Sequence, residues 1–156
     1  MRHNANMSSK TTRHNRSDCP INVALEVLGD AWTLLIVRDL MFKNCNSFNA
    51  LLNAKEGIAT NILSDRLSRL EGFGIIERQR DAQDARRWVY RLTEKGIDLA
   101  PILVEMLVWG AQFENSQIAP ETLAKMQADP RGFAARIKKQ WLNQQEKSPA
   151  QIAAQG

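Results

Sequence analysis

Residues 60–92 read TNILSDRLSRLEGFGIIERQRDAQDARRWVYRL, and this stretch decides the fold. Leu63, Leu67 and Leu70 are spaced by four and three residues, which predicts the buried side of a helix that starts near residue 60. Beyond the glycines that follow, the pattern changes to a period of two on both sides of a polar segment at residues 81–85. That change predicts two short antiparallel strands joined by a hairpin loop.

Several helices are predicted upstream of this stretch. Pro20 is suited to the first position of a helix that Gly29 ends, with Cys19 as its N-cap. Asp30 is predicted to cap a second helix and Ser47 a third, short one. Helices followed by a two- or three-strand antiparallel wing are the outline of a winged helix-turn-helix, a mainly α fold with a small β wing.

A long helix is predicted after the wing, from Thr93 to about Asn115, with a kink at Pro101. It is apolar on two sides, and such a helix usually has two partners, its own core and another chain. Which side faces outward is left open by the pattern. Further helices are predicted to begin at Pro120 and Pro130. The residues predicted for a dimer interface are Leu103, Leu107 and Trp109.

With 156 residues the chain is expected to form one domain with appendages. The predicted divisions are a disordered basic arm at 1–17, a winged-helix DNA-binding and dimerisation domain at 18–115, a C-terminal helical extension at 116–146 and a disordered tail at 147–156.

Composition excludes several classes of protein. No apolar run reaches the roughly 18 residues of a membrane span, and the polar N-terminus is unlike a secretory signal. The two cysteines lack metal-ligand spacing, so we expect a cytoplasmic protein without metal, cofactor or membrane association. The net charge is +4, with basic stretches at 1–18, 61–92 and 130–156 as candidate phosphate-facing surfaces. The acidic stretch 93–129 is expected to point elsewhere.

Five segments together resemble the HxlR family of bacterial regulators, relatives of the MarR family. They are CPINVALEVLGDAWTLLIVRDL, SFNALL, NILSDRLSRLEGFGIIER, YRLTEKG and LAPILVEMLVWG, which occur in the family's order over about residues 19–113. The resemblance implies a homodimer that binds double-stranded DNA at a pseudo-palindromic operator, with the fourth helix in the major groove. It also implies a dimer interface built from the first helix and the helices after the wing.

Two departures from the family pattern bear on the site. Many relatives have a Pro-Pro pair in the wing where this chain has residues 84–87, DARR, a segment more like the Asp-x-Arg wing of MarR proteins. Many also have serine at the position of Ala59, so Thr60 is expected to take over the capping of the fourth helix.

The free face of the fourth helix carries short polar side chains that would let the helix enter the major groove, which is about 12 Å wide. Its arginines and those of the wing are expected to reach phosphate or the minor groove. The residues predicted to contact DNA are Thr60, Asn61, Ser64, Arg66, Ser68, Arg78, Arg86 and Arg87.

Plainer interpretations of the same residues remain open. A merely solvated helix face has this composition too, and Asp65 could pair within the helix with Arg69. Arg66 could form an ion pair with Asp65 or Glu71, and the wing arginines could belong to a salt-bridged hairpin tip. As a function of another class, the winged helix could serve for protein–protein contact, which salt-insensitive DNA association would favour.

Cys19 is the candidate sensor of oxidants or electrophiles, a use that some HxlR relatives make of this position. At a helix N-cap the dipole favours the thiolate. Cys45 is a candidate resolving partner, although the sequence does not indicate that the two cysteines approach each other, and an inert Cys19 thiol is the alternative. In that case a small ligand between the fifth helix and the wing would be the signal. A thiol enzyme lacks any nearby histidine or carboxylate arrangement, so the chain is not expected to be an enzyme.

Overall fold

The computed structural model describes residues 16–153, with side chains described for residues 16–145. The elements are α1 (Pro20–Leu28), α2 (Thr33–Phe42), α3 (Phe48–Leu52), α4 (Thr60–Gly72), β1 (Ile76–Arg80), β2 (Trp88–Leu92), α5 (Glu94–Ile97), α6 (Ala100–Phe113), α7 (Pro120–Ala128) and α8 (Pro130–Ala153). By contacts the chain divides between Asp30 and Ala31. Of the predicted basic arm, residues 1–15 lie outside the described residues.

Helix α1 belongs to the first of these units and starts and ends where the sequence predicted. Pro20 is its first residue, and the N–H of Gly29 closes its last turn on the carbonyl of Leu25 at 2.7 Å. None of its residues is buried, and Ile21 and Leu25 are largely exposed. Within this unit Arg16 forms an ion pair with Glu26 at 2.9 Å.

The second unit is built around the apolar sides of α2 and α4. Leu63, Leu67 and Leu70 are buried as their spacing predicted, and Ser47 caps α3 by accepting the N–H of Ala50. The predicted cap at Asp30 is wrong. A turn precedes α2, whose first intrahelical bond runs from Ile36 to Trp32, so Trp32 takes the N-cap position.

A tight turn joins α4 to β1. Gly74 adopts φ +66°, which suits glycine, and donates its N–H to Glu71, while Ile75 donates to Leu70. These two bonds form the Schellman arrangement that ends many helices. The strands β1 and β2 then pair antiparallel with Arg78 opposite Tyr90, and a single bridge from Ser47 to Val89 adds a minimal third strand.

The single long helix predicted after the wing is two helices, α5 and α6, separated at Asp98 and Leu99. Pro101 explains the break, because its ring would clash with the carbonyl of Ile97 and it has no N–H to donate. The kink predicted at this proline is therefore a complete interruption. Lys138 of α8 holds the break by an ion pair with Asp98 at 2.5 Å.

Helices α7 and α8 begin at the predicted prolines but pack as part of the second unit. Ala134 of α8 joins Ala100 and Val104 of α6 and Met126 of α7 in a buried cluster. The helices on the two sides of the predicted boundary between 18–115 and 116–146 thus share one buried cluster, and the boundary itself stays a prediction. Helix α8 continues to Ala153, whereas the disordered tail predicted at 147–156 stays a prediction, and its residues 154–156 lie outside the described residues. Its alanines, glutamines and lysines are good helix formers.

Within the described residues, the segment Glu94–Phe113 is long and apolar enough to cross a membrane, and α1 with α2 would be a second such segment only if they formed one broken span. Length and composition of this kind are weak evidence, because core helices pass the same test. Here the segment is interrupted between α5 and α6, and α7 and α8 pack against α6.

The close approach of α5 to the α4–β1 turn generates a prediction about Gly96. A Cβ at Gly96 would lie 2.1 Å from the carbonyl oxygen of Ile75, whereas a Cβ at Gly72 would meet nothing within 4 Å. Gly96→Ala should destabilise the fold by about 2 kcal/mol or more, since backbone must move. Gly72→Ala, inside α4, should be neutral or stabilise by up to about 1 kcal/mol. Urea unfolding of both variants checks this, and equal stabilities would contradict the packing described.

Candidate nucleic-acid interface

Helix α4 presents a polar face that its own core leaves uncovered. The leucines lie on the buried side, and the four short side chains predicted for DNA contact are all exposed: Thr60, Asn61, Ser64 and Ser68. The expectation that Thr60 caps the helix is wrong. Thr60 is the first helical residue, and the N-cap is Ala59, which has no capping side chain. The first N–H groups of α4 are therefore left without a side-chain cap.

The arginines of α4 differ in what they contact. Arg66 forms an ion pair with the neighbouring Asp65, which was one of its plainer interpretations. The predicted pair between Asp65 and Arg69 is not the one formed. Arg69 is exposed and, among the described residues, has no ion pair. Arg69 was expected, together with Arg66, to reach phosphate, although it was not among the eight residues named for DNA contact.

An ion-pair network fixes the segment that leads into α4. Arg38 of α2 donates two hydrogen bonds to Glu56, at 2.7 and 2.9 Å, and also pairs with the buried Asp39. Lys43 completes the network by an ion pair with Asp39 at 3.0 Å. The hydrogen bonds from Arg38 lower the pKa of Glu56 to about 2. The bidentate geometry fixes direction as well as distance, so the α3–α4 loop is held against α2.

Two wing arginines lie against Trp88. The guanidinium carbon of Arg80 is 3.7 Å from the centre of the indole ring and that of Arg78 is 4.6 Å away. Arg78 also pairs with Glu71 of α4 at 3.2 Å. These contacts offset the repulsion between neighbouring cations and connect the wing to α4. Arg78, predicted to contact DNA, is thus already engaged within the chain.

The wing tip is an ordered turn that leaves two arginines outside it. Asp81 accepts the backbone N–H groups of Gln83 and Asp84, and these bonds lower the pKa of its carboxyl. The N–H of Arg87 donates to the carbonyl of Asp84. Arg86 pairs with Asp84 at 3.2 Å, yet its side chain is 91% exposed. The side chain of Arg87 is exposed and has no ion pair within the described part of the chain.

Cys19 is exposed at the N-cap of α1. The backbone N–H groups of Asn22 and Ile21, in the first turn of α1, lower the pKa of the thiol. A lowered pKa increases the thiolate fraction at neutral pH, and the thiolate is the reactive form. Cys45 is half-buried, with its sulfur 3.8 Å from the carbonyl oxygen of Lys43.

The three residues predicted for a dimer interface differ in exposure along α6. Leu103 is only 5% exposed and lies in the chain's own core, and Leu107 packs beside Val104 on the cluster shared with α8. Trp109 alone of the three faces outward and is 58% exposed. The side chains that share this outer face are Ile102, Met106, Trp109 and Phe113.

These features define a winged helix-turn-helix transcription regulator, with a recognition-type helix and an arginine-bearing wing. The chain belongs to the HxlR-like helix-turn-helix family, whose model matches residues 27–118. Among its relatives is an HTH-type transcriptional regulator of Synechocystis, 35% identical over 95 residues that make up 61% of this chain and 70% of that protein. The chain spans 56% of the length of an HTH-type regulator of Mycobacterium tuberculosis to which it is 39% identical.

Solved regulators share the fold. The reduced form of the transcriptional regulator YodB from Bacillus subtilis is 30% identical, with a TM-score of 0.52 over 65% of this chain and all of that one. The redox regulator HypR in its oxidised form is 29% identical, with a TM-score of 0.53 over 64% of this chain and all of that one. YodB is also known in a quinone-bound form, 33% identical with a TM-score of 0.50 over 60% of this chain and 97% of that one. The relatives are transcriptional regulators rather than enzymes.

Proposed function

We propose that this chain acts in the cytoplasm as a homodimer that binds a pseudo-palindromic operator in double-stranded DNA. The observation that carries the proposal is the exposed polar face of α4, flanked by Arg69 and by the wing arginines Arg86 and Arg87. Short hydroxyl and amide side chains allow a helix to sit deep in the major groove and to bond base edges.

The chain's own ion pairs divide the predicted DNA contacts into two groups. Asn61, Ser64, Thr60 and Ser68 are free on the α4 face to meet bases. Arg86 and Arg87 project from the wing tip, where arginine suits the negative potential of a narrow minor groove. Arg78 and Arg66 are engaged by Glu71 and Asp65, so we assign them to positioning the wing and the helix.

The first prediction concerns salt. A dimer with about three to five cationic contacts per protomer should lose operator affinity steeply as salt rises, with a log–log slope of roughly −5 to −9. Fluorescence anisotropy over a salt series measures it. A flat plot would exclude the DNA proposal and favour a module for protein–protein contact.

Variants at α4 and the wing distinguish sequence-specific contacts to bases from contacts to the DNA backbone. Asn61→Ala should cost about 1–3 kcal/mol at the operator and little on random DNA, whereas Arg87→Ala should weaken both similarly and reduce the salt slope by about one per protomer. Lys125→Ala on α7, an exposed cation within the acidic stretch 93–129, is the control and should change neither. If Asn61→Ala weakened both kinds of binding and Arg87→Ala weakened only operator binding, Arg87 would contact bases and Asn61 would contact the backbone, contrary to the proposal.

The second prediction concerns the dimer. The outer face of α6 supports an interface there, since half-sites one helical turn apart, about 34 Å, require a fixed two-fold partner. Trp109→Arg should therefore yield a folded monomer with lost operator binding. Leu142→Arg places the same charge on an exposed leucine of α8 and should remain dimeric. Light scattering and anisotropy are the measurements, and a Trp109→Arg monomer with undiminished operator affinity would refute the proposal.

We further propose that Cys19 couples the redox state to DNA binding. Its exposure and lowered pKa support this, together with similarity to YodB and HypR. In the proposed dimer, α1 meets the partner, so a modified sulfur there would shift one recognition helix against the other. A cost of about 3 kcal/mol would lower affinity more than a hundredfold.

The third prediction follows from this thiol. Peroxide or a quinone, each of which modifies a single thiol, should abolish operator binding by the wild type and by Cys45→Ser, and Cys19→Ser should resist. The pH profile of Cys19 alkylation should have its midpoint below that of an ordinary thiol, because the two N–H groups stabilise the thiolate. Equal loss in the wild type and Cys19→Ser, or no response in either, would make Cys19 a structural thiol.

A further inference from the structure

One face of the wing hairpin carries two of its arginines together with Trp88. Residues opposite each other in an antiparallel pair point to the same side of the sheet. The pairs that define this face are Ile76 with Leu92, Arg78 with Tyr90, and Arg80 with Trp88. At the base of the wing the face is buried, and Arg78 reaches Glu71 of α4. Arg80 and Trp88 therefore form the outer end of a face that contacts α4, next to the wing tip.

The contacts of Arg80 differ from those of Arg78 on the same strand. Its guanidinium carbon lies 3.7 Å from the centre of the Trp88 ring, nearer than that of Arg78 at 4.6 Å. Arg80 also donates a hydrogen bond to the backbone carbonyl of Arg86 at 3.4 Å. Arg78 forms an ion pair with Glu71, whereas Arg80 forms none within residues 16–145. The two arginines thus have the same aromatic neighbour, but Arg80 keeps its charge without an anionic partner.

The carboxylates close to Arg80 in sequence are engaged elsewhere. Asp81 accepts backbone N–H groups of the wing tip, and Asp84 pairs with Arg86. Glu77 points to the opposite side of the sheet, because side chains alternate along a strand. In the part of the chain that the structure describes, the charge of Arg80 is therefore offset by the indole ring alone.

A guanidinium that lies over an aromatic ring is well prepared to bind phosphate. The ring covers its flat face, while its N–H donors lie in the plane of the group and can still bond an anion. The half-buried Trp88 also restricts the side chain of Arg80 before DNA is bound. Less side-chain entropy is then lost on binding than for a freely moving arginine.

The position of Arg80 indicates which anion it meets. In the proposed complex α4 lies in a major groove, and Arg86 and Arg87 meet the adjoining minor groove. One sugar–phosphate backbone separates two neighbouring grooves, so it passes the part of the wing between α4 and the tip. Arg80 lies in that part, because its face contacts α4 through Arg78 and its guanidinium contacts the backbone of Arg86.

We propose that Arg80 binds a phosphate of this backbone and that Trp88 is its positioning residue. Arg80 has this role only if the chain binds DNA, so the assignment rests on the proposed function. Phosphate contacts of this kind fix the position of a protein on the duplex and do not depend on base sequence.

The test is fluorescence anisotropy of the full chain with a duplex selected from a random pool and with an unrelated duplex of the same length. Arg80 is exposed, so Arg80→Ala should fold as the wild type does. It should weaken both complexes by about 10- to 100-fold and reduce the salt slope by about one per protomer, because a dimer loses two phosphate contacts.

Arg91→Ala is the matched control for the loss of charge. It removes one cation from the same hairpin, but Arg91 belongs to the opposite face, where its guanidinium lies beside Gln79. The salt slope of Arg91→Ala should equal that of the wild type. An equal loss of affinity and slope in Arg80→Ala and Arg91→Ala would show a general effect of charge and would overturn the proposal.

Substitutions of Trp88 distinguish positioning from packing. Trp88→Phe keeps an aromatic ring and should bind DNA within about twofold of the wild type, whereas Trp88→Leu should lose about 3- to 10-fold. In an Arg80→Ala background, Trp88→Leu should cause no further loss, because both residues act on one phosphate contact. A tryptophan that only packs the wing would weaken binding equally in both backgrounds, and that result would refute its positioning role.

Failure here differs from failure of the proposed function. If the wild type binds DNA with a steep salt slope and Arg80→Ala keeps that slope, Arg80 does not bind phosphate and the proposed function stands. Salt-insensitive DNA association of the wild type itself would instead contradict the proposed function, and the role of Arg80 with it.

Discussion

The carbonyl of Ile75 is the point at which the recognition helix, the wing and the helices after it are joined. It accepts the backbone N–H of Thr93 at 3.0 Å and the hydroxyl of the same residue at 3.2 Å. That hydroxyl also donates to the carbonyl of Gly74 at 2.6 Å. Its oxygen accepts the N–H of Gly96, so that Thr93 caps α5. Because Gly96 has no side chain, α5 can approach the turn this closely. The direction in which the wing leaves α4 therefore depends on a few bonds within four residues of β2.

Contacts within the chain also offset part of the positive charge of the proposed DNA surface. Cations that are close together repel one another before any phosphate arrives, and the chain offsets part of this repulsion internally. Arg78 forms an ion pair with Glu71 and lies against the ring of Trp88, and Asp84 partly offsets the charge of Arg86. Arg69 and Arg87 form no ion pair in the described part of the chain, although the charge of Arg87 contributes to lowering the pKa of Asp81. Ion pairs within the chain therefore distinguish arginines that stabilise the surface from arginines that are available to DNA phosphates. The number of arginines alone does not show this difference.

The local elements could be predicted because their signals are local. The leucine spacing of α4, the hydroxyl cap at Ser47 and the strand predicted after the hairpin loop depend on nearby residues, and each was confirmed. The errors arose where distant packing decides. Leu103 and Trp109 are both apolar residues of α6, and only packing against distant parts of the chain determines that Leu103 is buried and Trp109 is exposed. Likewise, Arg66 or Arg69 could pair with Asp65, since both lie within reach of its carboxylate.

Helix α6 is apolar on two sides, and helix α8 accounts for one of them. Its residues Phe133, Ala134 and Ile137 cover the inner side of α6 together with Met126 of α7, so that side is accounted for within one chain. The outer side, with Met106, Trp109 and Phe113, is not covered by any described element, although Trp109 and Phe113 lie with ring centres 5.7 Å apart. An exposed apolar patch of this kind on a helix marks a surface for association. The composition that gives residues 94–113 the hydropathy of a membrane span therefore follows from packing on two sides, one within the chain and one proposed between chains.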